Sequence, residues 1–154
     1  MKKVNSDNFK KTLSKFTTGI SVVCIKYNNI IFGKTVNSFN SLSLNPPMVL
    51  FSLGNYSSSI NQFSKTKFLS INILSSKQKK LSDNFALTKP KLEDIKFVEG
   101  KNKTAIIPNC IANLECELID KIKKGDHIIF ICRILELQSN DKLKPLIYFN
   151  SKYC

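Results

Sequence analysis

Residues 33–53 read GKTVNSFNSLSLNPPMVLFSL, from Gly33 to Leu53, and this run decides the fold. Its first half gathers small hydroxyl and amide side chains: Thr35, Asn37, Ser38, Asn40, Ser41 and Ser43. Its second half is a Pro46-Pro47 stop followed by the apolar stretch Met48–Leu53, which has the length and composition of a strand. Uncharged donors and acceptors at that density can hydrogen-bond a bound ligand without adding charge. The same residue types also make ordinary loops between strands, so the neighbouring sequence must choose between the two.

On the N-terminal side, Ile20–Ile25 and Ile30–Val36 predict two strands. The Tyr27-Asn28-Asn29 break between them suits a hairpin, because asparagine tolerates positive φ. Ser6–Thr18 predicts a helix with Phe9, Leu13 and Phe16 on one face, Asp7 in its first turn, Lys15 near its end and Gly19 as its stop. On the C-terminal side, Ser57-Ser58-Ser59 before Ile60 and Phe63 predicts a short helix with a hydroxyl N-cap. Phe68–Leu74 sets Leu69, Ile71 and Ile73 against Ser70 and Asn72, a strand with one buried and one polar face. Ser75-Ser76-Lys77-Gln78 is a capping-box pattern opening a helix that carries Leu81 and Phe85. Residues 87–110 show little periodicity and read as a long, partner-contacting loop. Ala112–Asp120, Ile128–Leu137 and Leu146–Phe149 complete a mostly antiparallel sheet. One domain over residues 1–154 is expected, mainly β with short helices, and the strand number argues for a closed or nearly closed barrel.

Composition narrows the function. The formal net charge of +13 raises a nucleic-acid hypothesis. Arg133 is the only arginine, and the densest lysine groups (Lys77, Lys79, Lys80 and Lys121, Lys123, Lys124) have no interleaved aromatics. The charge therefore reads as a solvated surface that attracts nucleotide phosphates, and no nucleic-acid partner is expected. Five cysteines in no C-x-x-C spacing, with His127 the single histidine, assemble no zinc set; no metal is expected, and the cysteines read as reduced small hydrophobes. The apolar runs are too short to span a bilayer and the N-terminus has no apolar leader, so the expectation is a cytoplasmic chain with no membrane partner. Glycines at 19, 33, 54, 100 and 125 form neither G-x-G-x-x-G nor a Walker A loop, so any nucleotide is held another way.

Seven stretches in order carry a resemblance: Phe16-Thr-Thr-Gly19-Ile-Ser-Val-Val, the 35–53 run, Ser57–Ser59, Phe68–Leu74, Leu114-Glu-Cys116, Gly125–Phe130, and Pro145–Phe149 followed by Tyr153. Together they resemble the flavin reductase-like domain family, short NAD(P)H:flavin oxidoreductases that serve two-component flavin monooxygenases. The resemblance implies a split β-barrel that binds flavin without a glycine fingerprint. It implies hydride transfer from NADH or NADPH to FMN or FAD, delivery of reduced flavin to a separate monooxygenase, and a homodimer that closes the pocket. Thr35, Val36, Asn37, Ser38 and Phe39 would line the flavin, and Ser41 and Leu42 would extend that wall. Ser57, Ser58 and Ser59 would receive the phosphate at a helix start. Phe85 and Ala86 would add contacts, His127 would face the nicotinamide nucleotide, and Tyr148 would cap the pocket. No catalytic base or nucleophile is needed, because the two rings do the electronic work.

Read alone, these residues have plainer roles: Ser57–Ser59 as a simple N-cap, Phe85 and Tyr148 as core, His127 as structural. Two departures from the family pattern stand out. Lys34 replaces a small or apolar residue, altering the entrance or adding phosphate attraction, and Gly100–Ile111 lacks the usual glycine-rich pattern. The alternative function is a flavin-binding split barrel that does not turn its cofactor over.

Overall fold

Asn28 and Asn29 hold φ of 50° and 61°, the left-handed pair that a tight two-residue hairpin needs. Around that turn a computed structural model describes residue 1 and residues 3–154. In chain order the elements are α1 (Ser6–Leu13), β1 (Thr18–Gly19), β2 (Ser21–Tyr27), β3 (Ile30–Val36), β4 (Asn40–Ser43), β5 (Met48–Gly54), α2 (Ile60–Lys65) and β6 (Phe68–Ile73). They continue with α3 (Lys79–Ala86), β7 (Val98–Glu99), β8 (Ala105–Ile106), β9 (Ala112–Lys124), β10 (His127–Ser139), β11 (Ile147–Phe149) and β12 (Lys152–Tyr153). The main sheet has seven strands in the order β3-β2-β6-β9-β10-β5-β4, all pairs antiparallel. Smaller sheets join β1, β11 and β12, and β7 with β8.

The curled main sheet encloses one core, in which Phe51 stacks on Phe130 at 5.0 Å and Phe63 meets Phe130 edge-on at 6.3 Å. A second core forms on the outer face of β2, from Ile20, Val22, Cys24, Leu74, Phe85, Ile107 and Leu146. Because β2 faces a core on each side, Val22–Ile25 is buried throughout, which explains its unbroken apolar run. The capping box is present: the Ser75 backbone N–H donates to Gln78 Oε1 at 2.9 Å and opens the turn into α3.

Several expectations change. The first helix stops at Leu13, capped by Ser14, and Thr18–Gly19 is a strand paired with Tyr148 and Ile147. No residue of α1 is buried, so no packing extends the helix, while a β-branched threonine gains ladder bonds at the sheet edge. Within the polar run, Asn40–Ser43 forms β4, which pairs with β5 across an irregularity between Ser41 and Ser43. The polar face of β6 is not solvated, since Ser70 and Asn72 are fully buried. Ser70 Oγ donates to Ala105 O, and Asn72 Oδ1 accepts from Ile107 N–H at 2.9 Å, so this face anchors the segment above it.

That segment is the stretch expected to be a long loop. Residues 87–110 instead lay Leu92, Ile95, Phe97, Ala105, Ile107 and Cys110 onto the second core, with β7 and β8 inside it. Its turn hangs on Glu115, a buried carboxylate accepting from Lys101 N–H (3.0 Å), Asn102 N–H (2.9 Å) and Thr104 Oγ1 (2.7 Å). A Cβ at Gly100 would stand 2.3 Å from a Glu115 oxygen, so this approach requires glycine. β9 and β10 run past their expected ends as a 13-residue pair, turning at Gly125, whose φ is +57°. Among the described residues no helix is long and apolar enough to cross a membrane.

Candidate functional site

β3 and β4 are the two outer strands of the seven-strand order, yet only Asn37-Ser38-Phe39 separates them in sequence. The sheet must curl until its edges face each other, and this link spans the seam. Ser38 fixes it to β5: Ser38 Oγ accepts from Ser52 N–H at 3.0 Å and donates to Ser52 O at 3.1 Å. With its hydroxyl so used, Ser38 has its backbone to offer a ligand. Thr35 Oγ1 donates to Ser82 O at 2.7 Å and holds α3 against β3. Val36 is buried in the barrel core, Phe39 packs half-buried against it, and Asn37, Ser41 and Leu42 are exposed.

Two cavities bear on the site, and the link itself lines only the second. The first, about 280 Å³, lies between residues 31–34 of β3, Ser58 and Ser59, and the segment containing Thr88, Lys89 and Leu92. The second, about 370 Å³, opens between residues 16–19 and 37–40, over Ser21 and Ile73. Both carry evidence of unmet hydrogen bonding. Ser59 Oγ at the first and Thr18 Oγ1 at the second are buried without a partner, as is Ser57 Oγ. Buried hydroxyls without partners are costly, and a ligand oxygen would satisfy them. Ser59 occupies the N-cap position of α2 but its side chain caps nothing, so the plain N-cap role does not hold. Ser58 is already engaged, donating to Thr88 O at 2.8 Å.

Electrostatics give the first cavity its character. Lys34 Nζ donates to Leu87 O at 2.8 Å, and Lys89 lines the same space. Partial burial lowers the Lys34 ammonium pKa from its ordinary value by desolvation. No carboxylate is among the residues lining the cavity. Cations, hydroxyl donors and no competing anion make a donor set that fits a phosphate ester. Among the described residues no group of three or more His, Cys, Asp or Glu is placed to hold a metal.

The remaining candidates lie elsewhere. Phe85 is fully buried beneath Gly33, where an added Cβ would meet its ring carbon at 2.4 Å, and Ala86 is exposed at the end of α3. Tyr148 packs on the second core, edge-on to Tyr153 at 5.4 Å, and the Tyr153 hydroxyl is 2.9 Å from Ser82 Oγ. His127 stands half-buried at the start of β10 opposite Gly54 and lines neither of the two cavities. Its Nδ1 is 2.7 Å from Asp126 Oδ1, and this contact holds the Asp126 carboxyl below the usual range. Sequence reasoning gave no role to Thr18, Thr88 or Lys89. The Phe16–Gly19 stretch was the available signal for the first; nothing in residues 87–92 marks the others as site residues before folding brings them to β3.

The model of the flavin reductase like domain family matches residues 13–154. An "FMN reductase (NADH)" of Agrobacterium fabrum is 34% identical over 137 residues, covering 89% of this chain and 79% of its own. The reductase component of a 4-hydroxyphenylacetate 3-monooxygenase of Thermus thermophilus is 30% identical over 145 residues, covering 94% and 93%. Among solved structures, the flavin reductase PheA2 in its native state superposes with a TM-score of 0.91 at 33% identity, over 98% of this chain and 97% of that one.

Proposed function

The chain belongs to the flavin reductase like domain family, and from that premise we propose an enzyme that passes hydride from NADH or NADPH to FMN or FAD. The reduced flavin then goes to a separate monooxygenase, as the names of relatives that are reductase components suggest. The observation that carries this reading is the first cavity, with Lys89, the unpartnered Ser59 hydroxyl and Lys34, the residue that precedes the polar 35–43 run in sequence. When bound, flavin supplies the ring that accepts hydride from the nicotinamide. The protein's part is to hold and orient it. Ser57 and Ser59 hydroxyls take the phosphate, with Ser58 and Thr35 bracing the walls. Asn37, Ser38 and Phe39 present the seam to the ring edge, and Ser41 and Leu42 continue that wall. Phe85 supports β3 from beneath, Ala86 adds a contact at the end of α3, Tyr148 caps the pocket, and His127 contacts the nicotinamide nucleotide.

Residues 1–154 act as one domain, in the cytoplasm, and the working unit is a homodimer. Support for the dimer comes from α1, whose Phe9, Leu13 and neighbouring Phe16 are 57%, 52% and 74% exposed. A second copy laid on this apolar face would also border the second cavity, which Phe16 lines. The test is loss of reduced-nicotinamide absorbance by the purified protein with and without added FMN or FAD. Rapid, flavin-stimulated oxidation is expected. A protein that binds flavin but oxidises no nicotinamide would be the non-catalytic flavin-binding barrel instead.

A further inference from the structure

We propose that Lys34 is a specificity-determining residue, selecting phosphorylated flavins over riboflavin at the first cavity; this rests on the flavin-binding reading above. Three observations converge. Lys34 projects from β3 into the lining of a cavity of about 280 Å³ that it shares with Ser58, Ser59 and Lys89. Its amine donates to Leu87 O at 2.8 Å and makes a longer contact with Thr88 O at 3.4 Å, tying the 87–92 wall to β3. Across the same space Ser59 Oγ is buried with no partner, a hydroxyl waiting for an oxygen.

A lysine ammonium has three donors. Two neutral carbonyls occupy two of them and neutralise none of the charge, and no Asp or Glu is among the lining residues. The unmatched charge is partly withdrawn from solvent, which strengthens its attraction for an anion relative to a fully hydrated lysine. Riboflavin carries no anion to meet it, whereas FMN and FAD do. The arrangement thus couples two tasks in one side chain. It latches the wall through the carbonyls and reads the phosphate through the charge.

These tasks separate experimentally. Lys34→Gln keeps an N–H donor on a slightly shorter side chain but removes the charge; Lys34→Met removes both. Affinities for FMN and riboflavin are measured by quenching of flavin fluorescence. Lys34→Gln is expected to weaken FMN about 10-fold, roughly 1.4 kcal/mol, with riboflavin unchanged, and Lys34→Arg is expected to restore FMN. An unchanged FMN-to-riboflavin affinity ratio in Lys34→Gln overturns the proposal, as does an equal loss of both ligands. Should the variants not fold, the wild-type protein still decides. Its preference for FMN must shrink as salt rises, and a salt-independent ratio overturns the idea. A wild-type protein that binds neither flavin would sink the functional reading itself, a separate outcome.

Discussion

Replacing Asn72 by leucine removes a side chain whose four polar capacities are all used inside the protein. Asn72 Nδ2 donates to Val22 O at 3.0 Å and to Ser70 Oγ at 3.1 Å; its Oδ1 accepts from Ile107 N–H at 2.9 Å and Asn113 Nδ2 at 2.8 Å. Leucine has a similar shape, so the loss is of polar partners and not of packing volume. Ile107 N–H and one N–H of Asn113 lose their acceptor in a buried setting, at about 1–3 kcal/mol each. A total near 3–5 kcal/mol is expected, a large part of the roughly 5–15 kcal/mol that holds a domain folded. At about 2–4 °C per kcal/mol for a chain of this size, the melting temperature should fall by about 10 °C or more. The control is the same substitution at Asn37, which is exposed on the seam. Asn37→Leu should cost within about 0.5 kcal/mol of stability yet weaken flavin binding. Thermal unfolding of both variants without flavin, then flavin titration of the folded one, checks the pair. A loss below about 1 kcal/mol for Asn72→Leu, or unchanged flavin affinity in folded Asn37→Leu, would refute the division between anchoring and binding asparagines.

Gly33→Ala should destabilise by about 1–3 kcal/mol through overpacking, because its Cβ would lie 2.4 Å from the fully buried Phe85 ring; an unchanged urea midpoint would contradict it. In the native protein a thiol reagent at mild pH should label Cys154 alone, since the other four cysteines are buried, and all five after denaturation. Burial pushes the thiols of Cys110 and Cys116 up from 9.0 to about 11 and about 12, so the native state keeps protons that the unfolded chain releases. Their stabilisation is complete below about pH 9 and is lost as the pH rises through those values, so the denaturation midpoint should fall above pH 9. His127→Ala should raise the apparent KM for reduced nicotinamide several-fold with flavin affinity intact; equal loss of both, with a lower Tm, would make the histidine structural. Light scattering at moderate salt should return the mass of two chains, and Phe9→Lys with Phe16→Lys should shift it toward one.

What was legible in the sequence was whatever one residue pair or one short period determines. The Asn28-Asn29 turn, the Ser75–Gln78 capping box and the strand at Phe68–Ile73 are such local features, and each is present. What was not legible depends on chain brought from afar. The polar face of β6 has the same alternation whether it meets water or residues 105–107, so its burial has no local signature. Residues 87–110 lack periodicity because they cap a core already formed by β2, α3 and β11, needing scattered apolar contacts and not a repeating face. The α1 boundary failed for the opposite reason: a regular apolar face implied a long helix, but this chain offers nothing for that face to pack on. At the site, the 35–43 run was legible by composition and resemblance, while Thr88 and Lys89 reach residues 31–34 of β3 only through folding.

The position of that run follows from the topology. A seven-stranded sheet with β3 and β4 as its edges leaves backbone groups without a ladder along both, and Asn37–Phe39 joins the two. Open edges are hazards that proteins cover or close. Here the closure is partial, through the Ser38 hydroxyl bonded to both backbone groups of Ser52, where a further pair of strands would otherwise be needed. A link fastened by a side chain keeps its own main chain free of the sheet, and small polar residues let a planar ligand approach it. On the proposed reading the crowd of Ser, Thr and Asn serves twice, Ser38 fastening the link and its neighbours facing the ligand. Beside it, α3 is locked by Thr35 to Ser82 and by Gly33 against Phe85, so β3 is rigid along the length that lines the first cavity. Braced walls on one side and the unpartnered hydroxyls of Thr18, Ser57 and Ser59 nearby are what a ligand bound as proposed would find there.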